Sequence, residues 1–398
     1  SSLRIPVQRF LLPLGISFYT LSAIGYMADV YWKKIEPEKN IAKLALFLSF
    51  FPIIMEGPIC MYSDTAETLT KGEDIRSENL VRGYMRIGWG LIKKVVIADR
   101  LYVVVQTLFD GYASYHGVMI VVAAVSYTVQ LYMEFSGCMD IVIGSAECFG
   151  VTLPENFAQP FVSKNASEFW RRWHISLGRW FKTYIFYPVS MSKLTRKWNR
   201  FAKKHTSKYV KLMVASAIAL FPVWVCNGFW HGASWSYLFY GMYYFVVIMI
   251  ELMLEPAVKK LCEAWKITEA TTWWNVLRIL KTWVIIFTGE LFFRADTLSI
   301  GMHMFASLFR DFELHRLWDG TLLSLGLGRV EMGIVLASLL FVGVVNHFRE
   351  RKIDVRGVIL HKRLPVRWLV YLALIFVVII FGAYGPGYQE VDLIYAGF

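Results

Sequence analysis

Long apolar runs alternate with short polar segments along the 398-residue chain. A helix needs about 20 apolar residues to cross the hydrocarbon core of a bilayer, which is ~30 Å thick. The stretches that approach or exceed this length are 10–32, 41–62, 117–135, 212–230, 232–250, 275–293, 329–346 and 367–384. Pro and Gly interrupt many segments, as in membrane folds with broken or re-entrant helices. The pattern predicts an all-α integral membrane protein with many spans.

Two further segments are amphipathic. Within 81–109, Arg86, Lys93 and Arg100 recur every seven residues and therefore share one helical face. We expect this helix to lie at the membrane interface or to line a wet interior. The 165–187 segment combines several basic residues with an aromatic face, which favours a helix along the membrane or dipping partway into it.

The 165–187 segment also carries a helix start signal. Asn165 can cap the helix, and Glu168 follows three residues later, as in a capping box. At 100° per residue, one face collects aromatic and apolar side chains, namely Trp173, Leu177, Trp180 and Tyr184. His174 lies at the boundary of this face. The pattern predicts one continuous interfacial helix.

Composition excludes several classes of protein. Hydrophobic residues make up 56% of the chain and charged residues 18%, with a mean hydropathy of +0.46. A soluble globule of this size needs a more charged exterior. Collagens, coiled coils, disordered tails and small disulfide scaffolds have different compositions. We expect a single polytopic domain over 1–398, and because residue 1 is Ser rather than Met, we expect the natural chain to begin upstream.

The net charge of +12 follows from membrane topology rather than from binding to nucleic acid. The 191–211 segment contains eight Lys/Arg and no acid. Cytoplasmic loops of membrane proteins are enriched in these residues and are attracted to anionic lipids. We therefore expect a multi-pass protein of the cell membrane with 191–211 as a cytoplasmic loop.

The five cysteines are odd in number and form no C-x-x-C pair. Most of them lie in or beside apolar runs, which favours free buried thiols over disulfides or zinc ligands. They are Cys60, Cys138, Cys148, Cys226 and Cys262.

His231 is the strongest candidate for chemistry. It lies in the middle of 212–250, where no Asp, Glu, Lys or Arg occurs. An ionisable side chain in so apolar a stretch is a functional candidate. Trp230 and Trp235 are placed to wall a pocket around it. The alternative is a hairpin tip at the far membrane face, where a histidine needs no function.

His174 has a weaker case, because a histidine among Arg and Trp is often a lipid headgroup contact. Two histidines suit acyl transfer to a hydroxyl, since a neutral imidazole takes and returns the alcohol's proton while a second orients it. No acid accompanies either histidine at metal-ligand spacing, and HExxH is absent. We expect the other six to be solvated or at headgroups: His116, His205, His303, His315, His347 and His361.

Two acids interrupt the apolar stretch that follows residue 117. Glu134 and Asp140 are expected to pair with a base or to cap a backbone break, which the Ser136-Gly137 pair suggests. This structural interpretation is favoured over direct catalysis. The chain lacks G-x-S-x-G, a Walker loop and G-x-G-x-x-G, which argues against a serine hydrolase, an ATPase and a nicotinamide enzyme.

Several motifs occur together in a characteristic order. They are LPLGISFYTLSAIGYMADVY at 12–31, GLIKKVVIADRL at 90–101, YTVQLYMEFSGCMDIVIGSAECFGVTLPENFAQPF, FWRRWHISLGRWFKTYIFYP, GFWHGASW and LFFRA at 291–295. This ordered set, spread over roughly residues 10–300, resembles the membrane-bound O-acyltransferase (MBOAT) family, in its alginate O-acetyltransferase branch. Glu134 stands where that family commonly has Asp, and Cys138-Met139 where it has Tyr-Ser, which weakens any inference about the polymer.

The resemblance implies a helical funnel with interfacial or re-entrant helices and a central tunnel. His231, within WHGASW, would be the catalytic histidine, and His174, within RRWHIS, the second histidine facing the same tunnel. The residues we assign to the tunnel are Trp173, Trp230, Trp235, Arg171, Asn227, Ser136, Glu134 and Asp140.

The resemblance also implies a reaction. An acyl group, acetyl above all, would pass from a cytoplasmic donor such as acetyl-CoA or another acyl thioester to hydroxyls of an extracellular polysaccharide. An SGNH-type acetyltransferase would be the partner protein, with no tightly bound cofactor or metal. The alternative within the family is transfer of D-alanine towards teichoic acid. Outside it, a lipid or polymer translocator and a scaffold for a polysaccharide synthase stay open.

The charge pattern generates the first testable prediction. A single-cysteine variant at Ser207 should react with an impermeant thiol reagent only after the membrane is opened, because eight cationic side chains are costly to move across an energised membrane. The measurement is labelling of intact and permeabilised cells. Labelling of intact cells comparable to that of a known external site would contradict the cytoplasmic assignment.

Overall fold

A computed structural model describes residues 15–54, 56–72, 74–385, 388 and 391. Within these ranges the chain is helical and contains no β-strand. The α-helices are α1 Ile16–Tyr31, α2 Ile41–Ser49, α3 Phe51–Ile54, α4 Tyr62–Thr70, α5 Ser77–Leu91, α6 Asp99–Asp110, α7 Val118–Cys148, α8 Ala166–Arg172, α9 Ile175–Phe181, α10 Tyr187–Ser190, α11 Lys193–His205, α12 Lys208–Trp230, α13 Trp235–Ala264, α14 Thr272–Arg294, α15 Leu298–Ser307, α16 Arg329–Glu350, α17 Val355–Leu360 and α18 Leu364–Phe381. Two π-helical segments, Ile92–Ala98 and Lys182–Phe186, interrupt the ladder.

Five of the described helices are long and apolar enough to cross a membrane: α7, α12, α13, α16 and α18. The prediction of an all-α integral membrane protein is thus confirmed. The span predicted at 10–32 becomes the 16-residue α1, with 10–14 outside the described residues. The span at 275–293 lies in the 23-residue α14, which also carries Arg278 and Lys281.

The span predicted at 41–62 is wrong. This stretch forms α2 and the four-residue α3, and residues 56–61 are not helical before α4 begins at Tyr62. Pro52 lies in the first turn of α3, where a missing N–H is tolerated, and Gly57-Pro58 follows directly after the helix. Apolar composition alone therefore overestimated helix length here, because the prolines break the hydrogen-bond ladder.

Helix α7 is the centre of the fold. Its most apolar 18-residue window is 72% buried, whereas the other four apolar helices reach at most 22%. The predicted break at Ser136-Gly137 is wrong, since α7 runs unbroken for 31 residues. Gly137 instead permits close packing, because a Cβ there would lie 2.9 Å from the Gly90 carbonyl oxygen. Gly83 of α5 and Gly144 of α7 allow the same close packing at a second point along the two helices.

The basic face predicted within 81–109 is turned into the protein. Arg86, Lys93 and Arg100 are all buried. The π-helical turn changes the register after Leu91, so that Arg86 and Lys93 reach Asp140 while Arg100 donates to the Phe381 carbonyl. The segment therefore belongs to the interior rather than to the membrane interface.

The single helix predicted over 165–187 is also wrong. Its start is confirmed, because the Asn165 side chain accepts from the Glu168 amide at 2.7 Å. The helix ends at Arg172, however, and resumes at Ile175. His174 takes a left-handed backbone conformation (φ 47°, ψ 52°), which separates the two helices.

The segment at 191–211 is helical rather than a loop. It forms α11, capped by Ser192, and the first turn of α12, capped by Ser207. Its membrane side stays a prediction. Because a cysteine at Ser207 would remove the cap of α12, the exposed Lys204 is the better labelling position.

The contact between α5 and α7 predicts an intolerant glycine. Gly90→Ala should lower thermal stability, because its Cβ would lie 2.5 Å from the Gly137 carbonyl oxygen and overpacking costs about 1–3 kcal/mol. Gly333→Ala in α16 is the matched control, since a Cβ there meets nothing within 4 Å. The measurement is the midpoint of thermal aggregation in detergent. Equal midpoints for both variants would contradict the packing.

Candidate active site

The structure brings His174 and His231 together around one indole. The Trp230 ring centroid lies 5.6 Å from that of His174 and 4.8 Å from that of His231. Both histidines are buried, at 3% and 4% exposure. The Trp230 N–H donates to the Ser17 carbonyl at 3.4 Å, which ties the indole to α1. Two segments 57 positions apart thereby meet in one interior site.

His231 is the residue that ends α12, and its amide donates to the Asn227 carbonyl at 3.4 Å. The alternative interpretation predicted a helical hairpin with His231 at its tip. α12 and α13 do form a hairpin at this point. The imidazole, however, turns into the protein, where Phe293 meets it edge-on at 4.9 Å and Tyr240 at 6.0 Å. His231 is therefore not a solvated residue at the tip of the hairpin.

His174 is positioned by a loop residue that sequence inspection did not single out. The Asn156 side-chain oxygen lies 3.2 Å from His174 Nδ1 and accepts from the Ser176 amide and hydroxyl, each at 3.0 Å. Ser176 in turn accepts from the Ile59 amide. Asn156 thus contacts both the His174 ring and the first turn of α9. Its only sequence signal is its place in the PENF run quoted above.

The surroundings keep both imidazoles neutral. Burial lowers the pKa of His174 well below its ordinary value, and the proximity of His231 lowers it further. Burial also lowers the pKa of His231. Desolvation disfavours the charged imidazolium, so each ring enters a reaction able to accept a proton.

The acids predicted to be structural have cationic neighbours. Asp140 accepts from Arg86 at 2.9 Å and from Lys93 at 2.5 Å. Glu134 lies 3.6 Å from Lys94. Ser136 accepts from Lys93 through both its hydroxyl and its carbonyl oxygen. These contacts are what the structural interpretation predicts.

Two residues assigned to the tunnel are exposed. Trp235 is 75% exposed at the start of α13, and Arg171 is exposed on α8. Their place in a tunnel stays a prediction. Trp173 is buried and stacks on Phe169 with 5.4 Å between ring centroids. It belongs to the aromatic packing beneath the site.

Sequence inspection also missed a buried acid beside His231. Glu290 on α14 is fully buried and accepts from the Tyr240 hydroxyl at 2.9 Å. Tyr240 packs against both His231 and Phe293, the latter at 4.8 Å. The signal was available, because Glu290 is the only acid in the apolar stretch 275–293.

Other candidate chemistry is limited. The described residues contain no group of three His, Cys, Asp or Glu side chains that could hold a metal ion. All five cysteines are free. Five of the six remaining histidines are exposed, and His116 is half-buried, in keeping with the prediction for this group.

The sequence is similar to several known proteins. The sequence model of the MBOAT, membrane-bound O-acyltransferase family, matches residues 34–293. The chain is 31% identical over 346 residues to the "Probable alginate O-acetylase AlgI" of Pseudomonas syringae pv. tomato, covering 86% of this chain and 61% of the relative. It is 30% identical over 315 residues to the peptidoglycan O-acetyltransferase of Helicobacter pylori, covering 73% and 55%.

A relative with a different printed activity is also similar. The chain is 28% identical over 286 residues to the teichoic acid D-alanyltransferase of Bacillus subtilis, covering 70% of this chain and 68% of the relative. The chain spans about three fifths of the length of the alginate O-acetylases it matches.

The histidine-positioning loop generates a stability prediction. Asn156→Ala should lower the free energy of unfolding by about 1–3 kcal/mol, because it leaves the buried Ser176 amide and hydroxyl without their acceptor. Ser176→Ala removes one hydroxyl and should cost less. The measurement is thermal unfolding of each purified variant in the same detergent. A larger loss for Ser176→Ala would show that Asn156 is not the central acceptor.

Proposed function

Because the chain belongs to the membrane-bound O-acyltransferase family, we propose that it is an O-acyltransferase that moves an acetyl group across the cell membrane. The donor is a cytoplasmic acyl thioester, of which acetyl-CoA is the simplest. The final acceptor is a hydroxyl of an extracellular polysaccharide, which the acetyl group reaches through a partner protein. The observation that carries the proposal is the pair of buried histidines that both contact Trp230.

The chemistry follows from the neutral imidazoles. The hydroxyl oxygen of the acceptor attacks the thioester carbonyl while His231 takes its proton. The carbon–sulfur bond then breaks, the ester forms, and the departing thiolate receives the proton. His174 contacts the same indole and orients the reacting groups. Its own orientation is set by Asn156 at 3.2 Å, which makes Asn156 a positioning residue.

The apolar walls serve the same reaction. Phe293 and Tyr240 cover one face of His231, and Phe135 meets His174 at 4.8 Å. Such walls keep bulk water from the thioester, which water would otherwise hydrolyse, and they strengthen the electrostatic interactions within. A translocator needs the opposite, because a polar headgroup or sugar requires hydrogen-bonding partners along its path.

The chain is proposed to work with an SGNH-type acetyltransferase that receives the acetyl group on the outer face. Transfer of D-alanine towards teichoic acid is the runner-up, and the ester released from the polymer by mild base distinguishes the two, because one yields acetate and the other D-alanine. The basic segment 191–211 is placed on the cytoplasmic side in this scheme.

His231 is predicted to be indispensable. His231→Ala and His231→Gln should remove acylation, because general-base help is worth about 10²–10⁴-fold and Tyr240 and Phe293, which pack against His231 from α13 and α14, are aromatic. His174→Ala should be less severe if it orients rather than transfers the proton. The measurement is the ester content of the polymer in cells at equal membrane levels of each variant.

The control for this experiment is His303→Ala, which removes an exposed histidine on α15. Its ester content should equal that of the unsubstituted protein. Near-normal ester content with His231→Ala would overturn the catalytic assignment and favour a translocator, which tolerates loss of this imidazole as long as the path stays open.

A further inference from the structure

A cavity lined in part by charged side chains and an apolar groove lie next to each other beside α5. The groove, with a volume of about 400 Å³, runs between α5 and α18. The cavity, of about 220 Å³, lies between α5, α16, α17 and α18. Met85 and Leu374 line both of them. Together they form one compartment with a polar end and an apolar end.

The polar end carries a surplus of positive charge. Arg86, Arg349 and Arg356 line it together with Asp140 and Asp354. Arg86 is paired with both Asp140 and Glu155, and Arg356 with Glu147 on α7. Asp354 is paired with Arg82.

Arg349 is the remaining arginine of the cavity. It is half-buried near the C-terminus of α16 and makes no ion pair within 4 Å among the described residues. It lines the same cavity as Asp140 and Arg86. A group bound there needs negative charge and hydrogen-bond acceptors, and guanidinium forks match phosphate in both respects.

The apolar end faces the membrane. No residue of α18 is buried, and this helix has the highest mean hydropathy of the five apolar helices, 2.5. The groove beside it is lined almost entirely by apolar side chains, including Leu91, Ile375 and Val378. A hydrocarbon chain from the surrounding bilayer can therefore enter it without crossing polar surface.

We propose that this compartment is a binding site for an anionic glycerophospholipid. The phosphate contacts Arg349 and Arg86, and one acyl chain lies between α5 and α18. Basic pockets between membrane helices favour such headgroups. The proposed acetyl donor also carries phosphate, but its two-carbon acyl group would leave the apolar groove unfilled, so the bilayer lipid is the better match.

The site adjoins the proposed reaction centre. Arg86 donates to Glu155 at 2.7 Å and 2.5 Å, and Glu155 precedes Asn156, which holds His174. A bound phosphate therefore shares one guanidinium with the loop that positions the histidine. Lipid binding itself does not depend on the proposed acyl transfer and is measured without it.

The test measures lipid retention by native mass spectrometry of the purified protein in detergent. Phosphatidylglycerol and phosphatidylcholine with identical acyl chains are the probes. The protein should retain phosphatidylglycerol about tenfold more strongly, and Arg349→Gln should abolish that preference, since one charge-assisted hydrogen bond is worth about that factor. Arg351→Gln, an exposed arginine two positions away, is the matched control and should change nothing.

A second variant tests the apolar end. A Cβ at Gly88 would lie 3.7 Å from the Leu374 Cβ, so Gly88→Leu fits the helix while its larger side chain fills the groove. It should weaken retention of both lipids. Equal retention of both lipids by the unsubstituted protein, or an unchanged preference in Arg349→Gln, would overturn the proposal. Displacement of phosphatidylglycerol by acetyl-CoA at matched concentration would also overturn it and assign the compartment to the donor.

Discussion

The close contact between α5 and α7 is the constraint on which the rest of the interior depends. Two glycine pairs bring the helix backbones together, and this proximity lets Arg86 and Lys93 reach Asp140. Charges buried within a membrane protein are tolerated only when they are paired and hydrogen-bonded. The glycines and the ion pairs therefore require each other, since separation of the helices would strand charges in a dry interior.

The same ion pairs extend to the proposed reaction centre. Arg86 continues from Asp140 to Glu155, and the next residue, Asn156, orients His174. His231 arrives from a different direction, at the end of α12. Both rings contact Trp230, which is itself tied to α1. Residues distant in sequence thus meet in a site whose geometry is set by helix packing rather than by any single motif.

Much of this fold follows from the sequence, and the exceptions share a physical cause. The lengths of apolar runs predicted α7, α12, α13, α16 and α18, because crossing a bilayer imposes a minimum length. The break at His174 was missed because periodicity records side-chain direction and not backbone conformation. No Gly or Pro marks that position, and the left-handed backbone is supported by Asn156, 18 residues earlier. The exposure of Trp235 and Arg171 depends on the turns at His174 and after His231, and so it could not be predicted.

The distribution of polarity explains why His231 was detectable at all. In this protein α18 is the most apolar of the five candidate spans and has no buried residue, whereas the buried α7 carries Glu134 and Asp140. This order is the reverse of that in a soluble protein, because the exterior solvent is hydrocarbon. An ionisable residue within an apolar run therefore points to the interior. The same argument identifies Glu290, the single acid of its run, which lies buried against Tyr240 one residue contact from His231.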